Sequence, residues 1–168
     1  MLGQNIAFIP DDNKVALSEE IFNKLAKEHY VQELNNDFNE KYIEYLIDEL
    51  DGNKRYFTKY EVNRFISSAK IYNSSKNAFD IKAAYKIINL YFNRLIEYSE
   101  YQINLLEKQE FSFNQSDFLD IYPDDNEWKP SKHALKELWT QITKNDMLTS
   151  QLANDVDEDS LTNIKKRY

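Results

Sequence analysis

The sequence predicts an all-α protein: a single-domain bundle of five to six helices around one long central helix, with a short extended N-terminal arm. Three observations carry this prediction. Glycine occurs only at Gly3 and Gly52 in 168 residues, whereas tight hairpins favour glycine because their central residues need positive φ. Residues 78 to about 109 hold no glycine or proline and keep apolar side chains at helical spacing. Twice, at Asp37 and at Thr58, a capping residue is followed three positions on by a glutamate and then an apolar stripe, the pattern of a helix start.

Taken in order, residues 1–17 read as an extended arm, in which Ile6, Phe8 and Ile9 precede Pro10 and a polar Asp11-Asp12-Asn13 turn. Ser18, followed by Glu19 and Glu20, predicts the start of a first helix that turns Ile21, Phe22 and Leu25 inward. Asp37 with Glu40 predicts a second, carrying Phe38, Tyr42, Tyr45, Leu46 and Leu50. Gly52 is placed in the left-handed position just past its end, where other residues meet a steric penalty.

Thr58 and Glu61 form the clearest capping box, with Phe57 ready to staple against Val62, and Phe65, Ile66, Ala69 and Tyr72 continue the stripe. After the polar run from Asn73 to Asn77 comes the long helix, with Ile81, Ala84, Ile88, Tyr91, Leu95, Tyr98 and Leu105 or Leu106 on its main stripe. Ile87, Phe92, Ile96 and Ile103 widen its apolar surface, as expected of a central helix packed on several sides. Ser131 predicts a last clear helix bearing Leu135, Leu138, Trp139 and Ile142. A weaker helix is expected from Met147 to Val156, and residues 157–168 are expected to fray.

Composition narrows the function. At 168 residues the chain is one domain of ordinary size. It carries 29 acidic and 21 basic side chains for a net charge of -8, which repels phosphate backbones and anionic lipid; no direct nucleic-acid or membrane binding is expected. It has no cysteine, and its opening lacks the basic start and apolar run of a signal peptide, so a cytoplasmic location is expected. Two glycines do not suffice for phosphate loops, dinucleotide fingerprints or nucleophile elbows.

Candidate chemistry fails on spacing. His29 and His133 share no metal-helix motif, and no glutamate lies three residues before either, as a carboxylate di-iron bundle requires. The run from Asp51 and Asn53 to Thr58 and Glu61 is one residue short for a calcium loop and puts Lys54 and Arg55 among the ligands. The run Asp155, Asp157, Asp159 lacks the central glycine of such a loop. No cofactor, no metal and no enzymatic activity are expected.

Weight therefore shifts to binding. The stretch SDFLDIYPDDNEWKP, residues 116–130, joins aromatic anchors to carboxylates that speed capture of a basic partner. Its candidate partner-binding residues are Asp117, Asp120, Tyr122, Asp124, Asp125, Glu127 and Trp128. The competing reading, a loop folded back on its own core, applies most to Phe118 and Trp128.

Ser116-Asp117, Tyr122-Pro123, Asp124-Asp125, Pro130-Ser131 and Trp139 together resemble the specificity segment of nuclease-colicin and pyocin immunity proteins, with Ile121 in place of one family tyrosine. The resemblance implies a bacterial immunity protein that neutralises a basic toxin nuclease domain by stoichiometric binding, with Asp117 and Tyr122 facing it. The alternatives are a phage or mobile-element inhibitor that mimics nucleic acid, and a helical adaptor or regulatory protein.

Overall fold

The apolar periodicity becomes five α-helices in the computed structural model, which describes residues 7–28, 37–75, 79–108 and 127–153. They are α1 (Asp12–Glu28), α2 (Phe38–Asp51), α3 (Lys59–Ser75), α4 (Ile81–Lys108) and α5 (Lys132–Ala153). The protein is all-α, and among the described residues the only β feature is one isolated parallel bridge between Thr58 and Lys129.

α4 is the hub, touching each of the other four helices. α2 and α3 form an antiparallel hairpin, in which Glu40 near the start of α2 pairs with Lys70 near the end of α3 at 2.8 Å. The start of α4 lies beside the start of α2: the Asp80 amide donates to the Asn39 carboxamide at 2.9 Å, and Phe79 meets Tyr42 edge-on. Glu97 pairs with Lys136 and Tyr101 with Thr140, so α4 and α5 run side by side in the same direction.

One buried cluster gathers Ile43, Ile47, Phe57, Val62, Ala69 and Ile87, joining α2, α3 and α4. A second gathers Tyr98, Leu135 and Trp139, joining α4 and α5. α1 is more lightly attached. Phe22 is buried, whereas Ile21 and Leu25, expected to face inward, remain 49% and 43% exposed.

Several local expectations change. α1 begins at Asp12, because the Asp11 carboxylate accepts the Lys14 amide at 2.8 Å and does the capping assigned to Ser18. The described part of the extended arm is correspondingly short, and Ser18 lies within the helix, donating its hydroxyl to the Val15 carbonyl. Asp37 precedes α2 without a side-chain capping bond, its carboxylate drawn instead to Lys41 at 2.7 Å.

Gly52 is right-handed, with φ -57° and ψ -24°; the positive φ falls two residues later, on Lys54 at 53°. The helix beyond Met147 is no separate element but the continuation of α5 to Ala153. Val156 and the tail at 157–168 lie outside the described residues.

The Thr58 box forms as expected. The Thr58 amide donates to Glu61 Oε2 at 2.8 Å, and the Glu61 amide donates back to Thr58 Oγ1 at 3.3 Å. Ser131 caps α5 by accepting the Ala134 amide at 3.2 Å.

Candidate functional site

The densest polar structure sits where α2 ends and α3 begins. Asp51, 2% exposed, turns its carboxylate back into the loop that follows. Its Oδ1 accepts the Arg55 amide at 2.7 Å, and its Oδ2 accepts the amides of Tyr56 at 2.9 Å and Phe57 at 2.8 Å. The Lys54 amide closes the turn onto the Asp51 carbonyl at 2.8 Å. Burial pushes the Asp51 carboxyl above its usual range, against the downward pull of these three amides.

So ordered, the loop receives the rest of the molecule. Its Arg55 carbonyl accepts the indole N–H of Trp139 from α5 at 2.7 Å. Phe57 is fully buried. Tyr56 meets both Tyr91 and Tyr98 edge-on, with centroids 5.4 and 5.5 Å away. Burial together with those two phenols pushes the Tyr56 hydroxyl up to about 12.

The segment 127–130 crosses the start of α3 as a strap. The Lys59 amide donates to the Lys129 carbonyl at 2.8 Å, and Lys59 Nζ reaches Glu127 Oε2 at 3.0 Å. That contact with Lys59 holds the Glu127 carboxyl below its usual range. Trp128 leans on Phe57 at 6.2 Å between centroids, with Lys54 Nζ 5.5 Å from its ring. Below it lies a cleft of about 210 Å³ lined by Glu44, Ile47, Asp48, Val62, Ile66 and Trp128.

Arg94 completes the hub from α4. It is 2% exposed; Nη2 donates to Glu61 Oε1 at 2.8 Å and Nε lies 3.3 Å from Glu97 Oε2. Glu97 also reaches Lys136 on α5 at 3.6 Å. One ionic chain thus runs from the capping box of α3 through α4 to the first turns of α5.

Of the sequence-predicted partner residues, Asp117, Asp120, Tyr122, Asp124 and Asp125 lie outside the described residues, as does Phe118. Glu127 is exposed and paired with Lys59, and Trp128 is half-buried against the core. The strap at Trp128 is therefore folded back on its own core. His133 and Glu137, 3.5 Å apart, are both well exposed on the surface of α5. Among the described residues no three His, Cys, Asp or Glu side chains group as metal ligands, and no helix is long and apolar enough to cross a membrane.

Sequence reasoning missed Asp51, Arg94 and Gln102 as buried polar residues. Gln102 is fully buried, and neither its Oε1 nor its Nε2 has a partner among the described residues. A legible signal existed: 94, 98 and 102 are spaced four apart on one helix face with Tyr98 between them, so the apolar stripe passes through both polar positions.

Fold and hub together define a class: a helical module whose buried Asp51 carboxylate is spent on its own architecture, and whose Arg94 is held by Glu61 and Glu97 with Nη1 left without a partner among the described residues. The chain belongs to the family described as the tail-specific protease N-terminal domain, whose model matches residues 21–168. It is 24% identical over 167 residues to the tail-specific protease of Haemophilus influenzae, a match covering 98% of this chain and 24% of that protein. The chain thus spans about a quarter of the length of this curated relative.

These matches overturn the immunity-protein reading. The family model runs through α2 to α5 and includes residues 116–139, the short stretch on which the colicin and pyocin resemblance rested. A toxin nuclease partner and toxin inhibition go with it, and the nucleic-acid mimic and free-standing adaptor alternatives are not supported either. The acidic and aromatic residues of that stretch belong to a protease-associated domain.

Proposed function

We propose that this chain is a non-catalytic helical module of a tail-specific protease, serving to hold and orient polypeptide while peptide-bond cleavage takes place elsewhere in the protein. The observation that supports this reading is the commitment of the hub to the fold. The Asp51 carboxylate is occupied by three amides, and Glu61 divides its two oxygens between the α3 cap and Arg94. A general acid or base must be within reach of substrate and free to exchange a proton; these groups are turned inward and engaged.

The test is a cleavage assay read by mass spectrometry on an unfolded polypeptide with a free C-terminal tail. The purified chain leaves the polypeptide intact, and the complete protease containing it degrades the polypeptide. Arg94→Leu in the complete protease slows that degradation more than it slows hydrolysis of a short peptide. Hydrolysis by the chain alone, or equal effects of Arg94→Leu on both substrates, defeats the proposal.

A further inference from the structure

We infer that the face of α4 around Asn89 and Phe92 is a seat for extended polypeptide, which the chain's own N-terminal arm occupies as a stand-in. Asn89 pairs with both main-chain groups of one residue: the Phe8 amide donates to Asn89 Oδ1 at 2.7 Å, and Asn89 Nδ2 donates to the Phe8 carbonyl at 2.8 Å. A carboxamide here imitates one rung of a β-ladder, giving a main-chain grip indifferent to the side chain that passes. The passing side chain meets Phe92, whose ring lies edge-on to Phe8 at 5.7 Å and is itself 37% exposed.

The arm is held lightly. Phe8 is 47% exposed and Ile9 80% exposed, and among the described residues the grip on Phe8 is one exposed bidentate pair and one ring contact. Such hydrogen bonds trade readily with water. The root of the arm is fixed separately, where Asp11 caps α1 and pairs with Lys14 at 2.9 Å; residues 7–10 can lift from the seat without unwinding the helix. The Phe92 ring continues inward to Tyr91 and from there to Phe57 beneath Trp128, linking the seat to the hub.

The occupant that fits is a segment of unfolded polypeptide bearing an apolar or aromatic residue. A grip made chiefly on main chain suits a protein that must hold many sequences, and in that respect the inference rests on the protease-module reading.

The experiment is amide hydrogen exchange on the intact chain, followed at Phe8, with a capped peptide of the sequence of residues 5–11 as probe. At about millimolar peptide, Phe8 exchange rises roughly tenfold, whereas the same peptide N-methylated at its phenylalanine has no effect. Asn89→Ala shows fast Phe8 exchange without peptide and loses binding of the labelled peptide. Unchanged Phe8 exchange at saturating peptide, or equal displacement by the N-methylated peptide, overturns the inference. Phe8 exchange that instead depends on chain concentration, with a dimer mass, assigns the seat to a second copy's arm and also overturns it. No cleavage is measured, so this inference and the protease reading fail separately.

Discussion

Arg94, buried at the middle of α4, donates to Glu61 Oε1 at 2.8 Å, while Oε2 of the same carboxylate accepts from Thr58 and closes the N-terminus of α3. One glutamate therefore serves a local cap and a long-range ion pair at once. The start of α3 cannot loosen without taking the Glu61 carboxylate from Arg94 Nη2 and leaving the guanidinium to Glu97 alone. Breaking a buried pair by removing one partner costs more than the pair contributes, because the surviving charge loses its compensation.

Arg94→Ala is accordingly expected to destabilise the chain by about 3 kcal/mol or more in urea unfolding, and Arg94→Leu by less because it fills the space. Equal losses for the two would show that the charge pair contributes little beyond packing.

Asp51→Ala orphans the amides of Arg55, Tyr56 and Phe57 together, and is expected to cost about 3 kcal/mol or more. Asp51→Asn retains a single acceptor oxygen and falls between alanine and the parent. Hydrogen exchange at those three amides locates the damage, and unchanged protection there would refute this account of the loop.

Trp139→Phe keeps most of the ring but leaves the Arg55 carbonyl without its indole donor. A loss of about 1–3 kcal/mol is expected, against roughly 3–5 kcal/mol for Trp139→Ala. Thermal melts of the two variants separate the hydrogen bond from the packing.

Lys54 holds φ at 53°, a conformation that costs side chains other than glycine and asparagine about 1–2 kcal/mol. Lys54→Gly is expected to match or exceed the parent in stability, and Lys54→Val to fall below it. If valine is tolerated as well as glycine, the turn is not locked in this geometry.

Tyr56 yields a pH dependence. Its hydroxyl is pushed up to about 12 in the folded protein, whereas in an unfolded chain it loses its proton near pH 10. The unfolded state therefore releases the proton first, and stability falls as pH rises from about 10 to 12, by roughly 2–3 kcal/mol from this residue. Tyr56→Phe flattens that slope, to which Tyr42, Tyr72 and Tyr91, also raised, add in the same direction. A Tyr56→Phe melting temperature that follows the parent across this range would count against burial of the phenol.

Much of this architecture was legible residue by residue. The Thr58 box, the Ser131 cap and the uninterrupted length of α4 depend on groups within a few positions of one another, and local bonding and helical period suffice to specify them, whereas the buried face of α4 runs through Ile87, Arg94 and Gln102 and not through Ile88, Tyr91 and Leu95. The start of α1 was misread because Asp11 and Ser18 are both competent caps and spacing alone does not choose between them. The immunity resemblance misled for a related reason: it rested on a short stretch around residues 116–139, whereas the family is shown by a match over residues 21–168.

What the sequence by itself determined was the helical class, the central helix and the strongest caps, all set by short-range geometry. Only the tertiary structure decided that Asp51 turns inward, that Arg94 meets Glu61 from 33 positions away, that Trp128 lies on Phe57, and that Asn89 grips Phe8. The physical reason is that burial of a polar group is tolerated only where partners converge on it. Those partners come from separate helices, whose relative placement is a property of the assembled core and not of any local stretch of chain.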